Sequence, residues 1–212
     1  MFQFSCNHNM YIINLLSKID FYERKKNEDS ISGKILLRKD KNKITGLFDY
    51  INDELVINKS NLRNSFIDGK LEGKIKFFPF FGFNLDINLN SINFTKIHNY
   101  LSSLNKLEQR NLFKINNKIN GNINVSAGKV YSKYNLTNSF ETKLKFNNGD
   151  VFVERFLLNL GKVGAADILG IIKNDKKFSN FKFESNVFVD NQKKFLSKFG
   201  IYNKEKVSSN FF

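Results

Sequence analysis

Between Phe113 and Phe146 apolar residues fall on every second position. The odd positions carry Phe113, Ile115, Asn117, Ile119, Gly121, Ile123, Val125 and Ala127, and every residue between them is Lys, Asn or Ser. A turn signal follows at Gly128-Lys129. The parity then reverses: Leu136, Phe140, Leu144 and Phe146 are even, with Asn135, Thr137, Ser139, Glu141, Lys143 and Lys145 between them. Successive side chains of a strand point to opposite faces. The spacing therefore predicts two long strands, each with one apolar and one polar face. Neither contains a side chain suited to catalysis, which points to a protein that works through a surface.

The same period recurs along the chain. Ile31, Gly33, Ile35 and Leu37 alternate, and two short strands, 44–50 and 55–57, flank Asn52-Asp53. Leu71, Gly73, Ile75 and Phe77 follow, then Phe83, Leu85, Ile87 and Leu89. Between these lies Phe77-Phe78-Pro79-Phe80-Phe81, the most apolar point of the chain. Pro79 cannot donate to a ladder, so it belongs at a strand end, an edge or a bend. Asn147-Asn148-Gly149-Asp150 is a turn by composition. Strands then run through 151–160, 168–172 and 181–189. Glycine recurs on the apolar face at Gly33, Gly73, Gly121 and Gly170. The pattern is a meander of strands joined by Asn/Asp/Gly turns, with no domain linker: one β-rich region over 1–212.

In three places the period lengthens to that of a helix. At 10–26, Ile12, Leu15, Leu16, Ile19 and Tyr22 predict a helix packed on the sheet, with a membrane-surface helix as the alternative. At 95–110, Ile97, Tyr100, Leu101, Leu104 and Leu107 form one stripe, with Thr95 as the N-cap and His98 on the solvated face. At 191–199, Phe195, Leu196 and Phe199 form a stripe, capped by Asp190 and ended by Gly200. Apolar alternation at Val207–Phe212 predicts a last strand without a visible partner.

Charge raises the question of a polyanion partner. The net charge is +14, from 34 basic and 20 acidic residues. Arginine, the residue of bidentate base and phosphate contacts, occurs only at Arg24, Arg38, Arg63, Arg110 and Arg155, and the lysines are dispersed. A solvated basic surface is expected, with no nucleic acid as partner, although a basic nucleic-acid-binding protein remains the lesser alternative. Cys6 and His8 make a C-x-H pair that no further Cys or His completes, so no metal and no cofactor are expected. No phosphate loop, nucleophile elbow or zinc-protease motif is present, and the expectation is no enzyme. Asp167 lies in the small-residue segment Gly164–Ile172, where a turn or backbone-capping role is expected. No run of about 18 apolar residues encodes a membrane-spanning helix, and the first residues do not form a secretory signal.

The strings FIDGKLEGKIKFFP (Phe66–Pro79), FNNGDV (Phe146–Val151) and LNLGKVGAADI (Leu158–Ile168) resemble the strand-entry and glycine-rich hairpin motifs of the AsmA-like family of bacterial envelope proteins. The resemblance covers most of the chain. It implies a mainly β fold (α+β minor): a long curved antiparallel sheet forming an apolar groove or half-pipe, as in TamB and the bridge-like lipid transfer proteins. It also implies an internal or C-terminal-region fragment of a longer periplasmic protein anchored in the inner membrane, with the anchor outside this chain. The implied partners are phospholipid acyl chains, moved between inner and outer membranes, with outer-membrane biogenesis proteins as further partners. A structural or interaction module for outer-membrane protein targeting or assembly is the alternative. Candidate groove-lining residues are Ile119, Ile123, Val125, Phe140, Leu144 and Phe146. The same alternation serves an open groove or a closed core.

Overall fold

A computed structural model of the chain describes residues 2–10, 13–23, 30–39, 42–112, 115–133, 135–174, 179–198 and 200. Strands β1 (Phe2–Met10), β2 (Ile13–Glu23), β3 (Ser30–Lys39), β4 (Asn42–Ile51), β5 (Glu54–Arg63), β6 (Ile67–Lys76) and β7 (Gly82–Asn93) form a continuous antiparallel meander. The period-2 residues named above account for β3 to β7. The turns also follow from sequence. Asn52 and Asp53 hold φ of 49° and 62°, the two left-handed positions of the type I′ hairpin turn that suits the twist of paired strands.

The expected helix at 10–26 is not formed. Residues 13–23 are strand β2, paired over 13–21 with β1 and over 16–23 with β3. The apolar residues there fit both periods, because Ile13, Leu15, Ile19 and Phe21 also alternate. An isolated amphipathic helix is marginal, whereas a strand beside β3 completes a ladder on both of its edges.

After β7 the chain leaves the sheet through α1 (Phe94–Ser103) and α2 (Lys106–Leu112). The stripe at 95–110 is therefore two helices. Asn93, not Thr95, is the N-cap: it is extended, and its side-chain oxygen accepts the Lys96 amide at 2.9 Å. The break at Leu104 is set by a capping box. Asn105 Oδ1 accepts the Glu108 amide at 2.9 Å, and Glu108 Oε2 accepts the Asn105 amide at 2.9 Å. Gln109 ties the two helices by donating to the carbonyls of Leu101 and Leu104.

This crossover returns the chain to the end of the sheet where β7 began, so β8 (Asn120–Ala127) runs parallel to β7. The first long strand thus begins at 120, not 113. Residues 116–119 form a turn in which the Ile119 amide donates to the Asn116 carbonyl. Gly128-Lys129 is not a hairpin. The chain kinks there and continues as β9 (Val130–Tyr131), again parallel to β7. β10 (Ser139–Asn147), β11 (Asp150–Asn159), β12 (Gly164–Asn174) and β13 (Ser179–Val189) complete the sheet by antiparallel pairing.

The result is a 13-stranded, mostly antiparallel sheet in sequence order, with β9 off the main path and β1 and β13 as its ends. The sheet does not close on itself. After β13 comes α3 (Gln192–Lys198), capped by Asn191 Oδ1 on the Lys194 amide; the Asp190 amide instead donates to the Val163 carbonyl. Gly200, with φ of 70°, ends it as expected. The strand expected at Val207–Phe212 lies outside the described residues.

Leu89, Ile92, Ala127, Val130 and Phe140 form one buried cluster, and Phe94 and Ile97 of α1 pack onto them. Val151, Val153, Leu160, Val163 and Ala166, on and around β11 and β12, are buried as well. The Phe94 ring stacks on that of Phe140 at 5.6 Å. The chain exposes 16346 Å², where a compact monomer of its mass exposes about 10,000 Å². Among the described residues, most of the sheet has no second layer.

Candidate binding face

Residues directly opposite one another in a ladder share a face, so the register can be followed across strands. Starting at β6, Gly73 stands beside Leu85, Leu85 beside Ile123, Ile123 beside Leu144, Leu144 beside Val153, and Val153 beside Gly170. Towards the N-terminus the row continues through Ile57 and Phe48, and beyond Gly170 it reaches Phe183. A neighbouring row holds Ile75, Phe83, Gly121, Phe146, Val151 and Ile172. Both rows are free of polar side chains over these strands.

Glycines in these rows are seats for aromatic rings. A Cβ on Gly121 would stand 2.6 Å from the Phe83 ring, and one on Gly170 would stand 2.1 Å from the Phe183 ring. From the loop between β6 and β7 a series of ring contacts descends onto the face: Phe77 to Phe81 at 6.2 Å, Phe81 to Phe83 at 6.1 Å, and Phe83 edge-on to Phe146 at 5.4 Å. Phe78 and Phe80 at the loop tip are 63% and 82% exposed.

The six residues expected to line a groove fall in different surroundings. Ile123, Leu144 and Phe146 are half-buried on the two uncovered rows. Val125 shares the face and packs against the core. Phe140 is 7% exposed and lies under α1, so it belongs to the closed end. Ile119 precedes β8, in the turn. The alternation therefore serves both purposes: the row through Phe140 is a closed core, and the two rows away from α1 stay partly exposed at Phe83, Leu85, Ile123, Leu144 and Phe146 but are buried at Val151 and Val153. Phe83 and Leu85 complete the open part, and their strand parity carried that information.

The opposite face is polar over β6, β7, β8 and β10. Asn124 donates to Asp86 at 2.8 Å, and Ser126 donates to Asn88 at 2.9 Å. A shallow depression of about 240 Å³, lined among others by Asn88, Asn124, Glu141, Lys143 and Arg155, lies on this side. Lys143 pairs there with Glu154 at 3.1 Å, Glu154 being the extra residue of a bulge in β11. Asp167 sits in mid-strand on this side, opposite Leu157 and Asn186, instead of in a turn. Among the described residues no group of three His, Cys, Asp or Glu is placed to hold a metal ion. No described helix is long and apolar enough to cross a membrane.

Comparison with protein families, with curated proteins and with solved structures finds no match. Fold and face together define a class: an open, mainly β sheet with one apolar face, closed by a helix at one end of its strands.

Proposed function

We propose that this chain is a non-enzymatic, lipid-handling segment of a bacterial envelope protein, whose apolar face holds phospholipid acyl chains in passage between inner and outer membranes. One observation carries the reading. The row through Leu85, Ile123, Leu144 and Val153 is apolar from β4 to β13, and Leu85, Ile123 and Leu144 within it stay partly exposed while Val153 is buried. Nine strands lie from β4 to β13 along the main path, and at about 4.8 Å per strand the path is roughly 38 Å long. Each acyl methylene removed from water there contributes about 0.8 kcal/mol, without any polar group to select a headgroup. Over β6, β7, β8 and β10 the opposite face is polar and faces water. The resemblance of the Phe66–Pro79 and Leu158–Ile168 strings to AsmA-like proteins supports the envelope setting.

The test is to purify the chain without detergent, extract it, and identify bound lipid by mass spectrometry. Photo-reactive residues at Leu144 and Phe146 are expected to crosslink to phospholipid, and one at Lys145, on the other face, is not. A lipid-free protein, or equal crosslinking from Lys145, would sink the idea. Crosslinks from Leu144 and Phe146 to protein alone would favour a role in outer-membrane protein assembly.

A further inference from the structure

The loop between β6 and β7, Phe77-Phe78-Pro79-Phe80-Phe81, is exposed at all five residues. It lies at the end of the sheet where β8 begins, away from the buried cluster under α1. Phe78 and Phe80 are its most exposed rings, and Phe77 and Phe81 behind them are 41% and 39% exposed. At about 200 Å² per ring, the four leave roughly 450 Å² of aromatic surface in water. A soluble surface rarely gathers that much apolar area at one point without a partner. The base of the loop is fixed: the Phe77 amide donates to the Asp53 carbonyl at 3.2 Å, and Phe81 lies between the rings of Phe77 and Phe83. Pro79 has no amide N–H, so the tip has one backbone donor fewer to take out of water. Cations stand behind this tip. Lys76 directly precedes it, Lys118 lies in the turn before β8, and Lys145 is near the end of β10. All three are exposed, and none forms a salt bridge among the described residues. The acidic groups at the same end already have partners: Glu54 pairs with Lys74 at 3.7 Å, Asp53 accepts the Tyr50 hydroxyl, and Asp150 accepts the Asn174 amide.

We infer that this loop is a membrane-contact element: Phe78 and Phe80 insert into an anionic phospholipid bilayer, and Lys76, Lys118 and Lys145 meet its surface phosphates. An aromatic tip with ammonium groups set back from it matches a bilayer interface, where rings enter below the headgroups and lysines reach the anionic surface. A folded protein would need a cavity shaped to a projecting tip, whereas a bilayer deforms around it. Strands β6 and β7 then run away from the membrane, and the series of ring contacts from Phe77 to Phe146 leads from the inserted tip onto the apolar face. The inference goes beyond the lipid-holding reading and does not need it, since it concerns a bilayer met by the loop and not a lipid held on the face.

The experiment is flotation of the whole chain with phosphatidylcholine vesicles, with and without roughly 30% phosphatidylglycerol. Wild type is expected to bind the anionic vesicles about tenfold more tightly than the neutral ones, and to lose that preference in about 0.5 M salt. Phe78→Ser with Phe80→Ser should weaken binding about tenfold or more. Phe188→Ser, at a ring 62% exposed at the other end of the sheet, should leave it unchanged. Lys76→Glu with Lys118→Glu should abolish the anionic preference. These positions are all exposed, so melting followed by circular dichroism should match wild type. The sequence holds no Trp, so Phe80→Trp supplies a single reporter. Its emission should move to shorter wavelength on adding vesicles and be quenched by brominated acyl chains, and that of Phe188→Trp should do neither. Absence of vesicle binding, equal binding to neutral vesicles, full binding by the Phe78→Ser, Phe80→Ser variant, or a Phe80→Trp emission indifferent to vesicles would each overturn the inference. So would self-association without vesicles that the same double variant abolishes, since the loop would then meet a second copy. Lipid extracted from the purified chain is read separately: a chain that carries lipid but ignores vesicles keeps the reading of the face and loses this one.

Discussion

The Ser60 hydroxyl replaces a rung of the ladder between β5 and β6: it accepts the Leu71 amide at 2.7 Å and donates to the Leu71 carbonyl. The two strands fall out of register between Ile57 and Leu62, where β5 carries one residue more than β6. The irregularity leaves Leu71 without a backbone partner on that side. A small hydroxyl, 5% exposed, fills the gap on the otherwise apolar face.

Ser60→Ala should therefore cost more than an ordinary serine change. It removes one side chain and orphans two backbone groups, so a loss of about 1 to 3 kcal/mol is expected. Denaturant titration would measure it, and the nearby exposed change Asn61→Ala should move the midpoint far less.

Two glycines test the idea of ring seats. Gly121 has φ of 154°, and a Cβ there would lie 2.3 Å from the Phe83 carbonyl oxygen. Gly121→Ala should destabilise by about 2 kcal/mol or more. Gly82, one strand away, has nothing closer than 3.8 Å to such a Cβ. Gly82→Ala should be neutral or stabilising by about 0.5 kcal/mol, through the unfolded chain.

Phe140 and Phe146 share one face of β10 and should respond differently. Phe140→Ala empties the core beneath Phe94 and should cost about 3 to 5 kcal/mol. Phe146 is half-exposed, so Phe146→Ala should cost about half of that or less. If the face holds lipid, the second variant should lose bound lipid at nearly native stability. Paired melting curves and lipid quantification would check this.

The Tyr50 hydroxyl donates to Asp53 Oδ1 at 3.0 Å in the β4–β5 turn. That hydrogen bond, with burial and the carboxylate charge behind it, raises the Tyr50 pKa above its ordinary 10.0. The folded state thus holds this proton longer than the unfolded chain. The contribution is complete below the unfolded value and is lost as pH rises through the folded one, in the alkaline range. Tyrosine-selective NMR titration should find the Tyr50 pKa raised, and Asp53→Asn should lower it.

Much of the fold was legible because a strand writes its face into alternate residues. The β3 to β7 meander and the Asn52-Asp53 and Asn148-Gly149 turns follow from local chemistry. The spacing at 10–26 fits a helix as well as a strand because a short apolar run satisfies both periods, and the partner strands decide for β2. The α1–α2 break was present in the sequence as Asn105 and Glu108, the two ends of a capping box, but a continuous apolar stripe ran through it. For the binding face, parity identified Ile123, Leu144 and Phe146 as sharing a side. It did not separate them from Phe140.

The sequence by itself determined which residues share a face, since alternation is a property of the backbone and needs no neighbour. Tertiary structure decided what meets that face. Whether Phe140 is covered and Leu144 is not depends on where α1 lands. That is set by the length of the crossover and by the parallel pairing of β8 on β7, non-local facts that no periodicity of single strands contains.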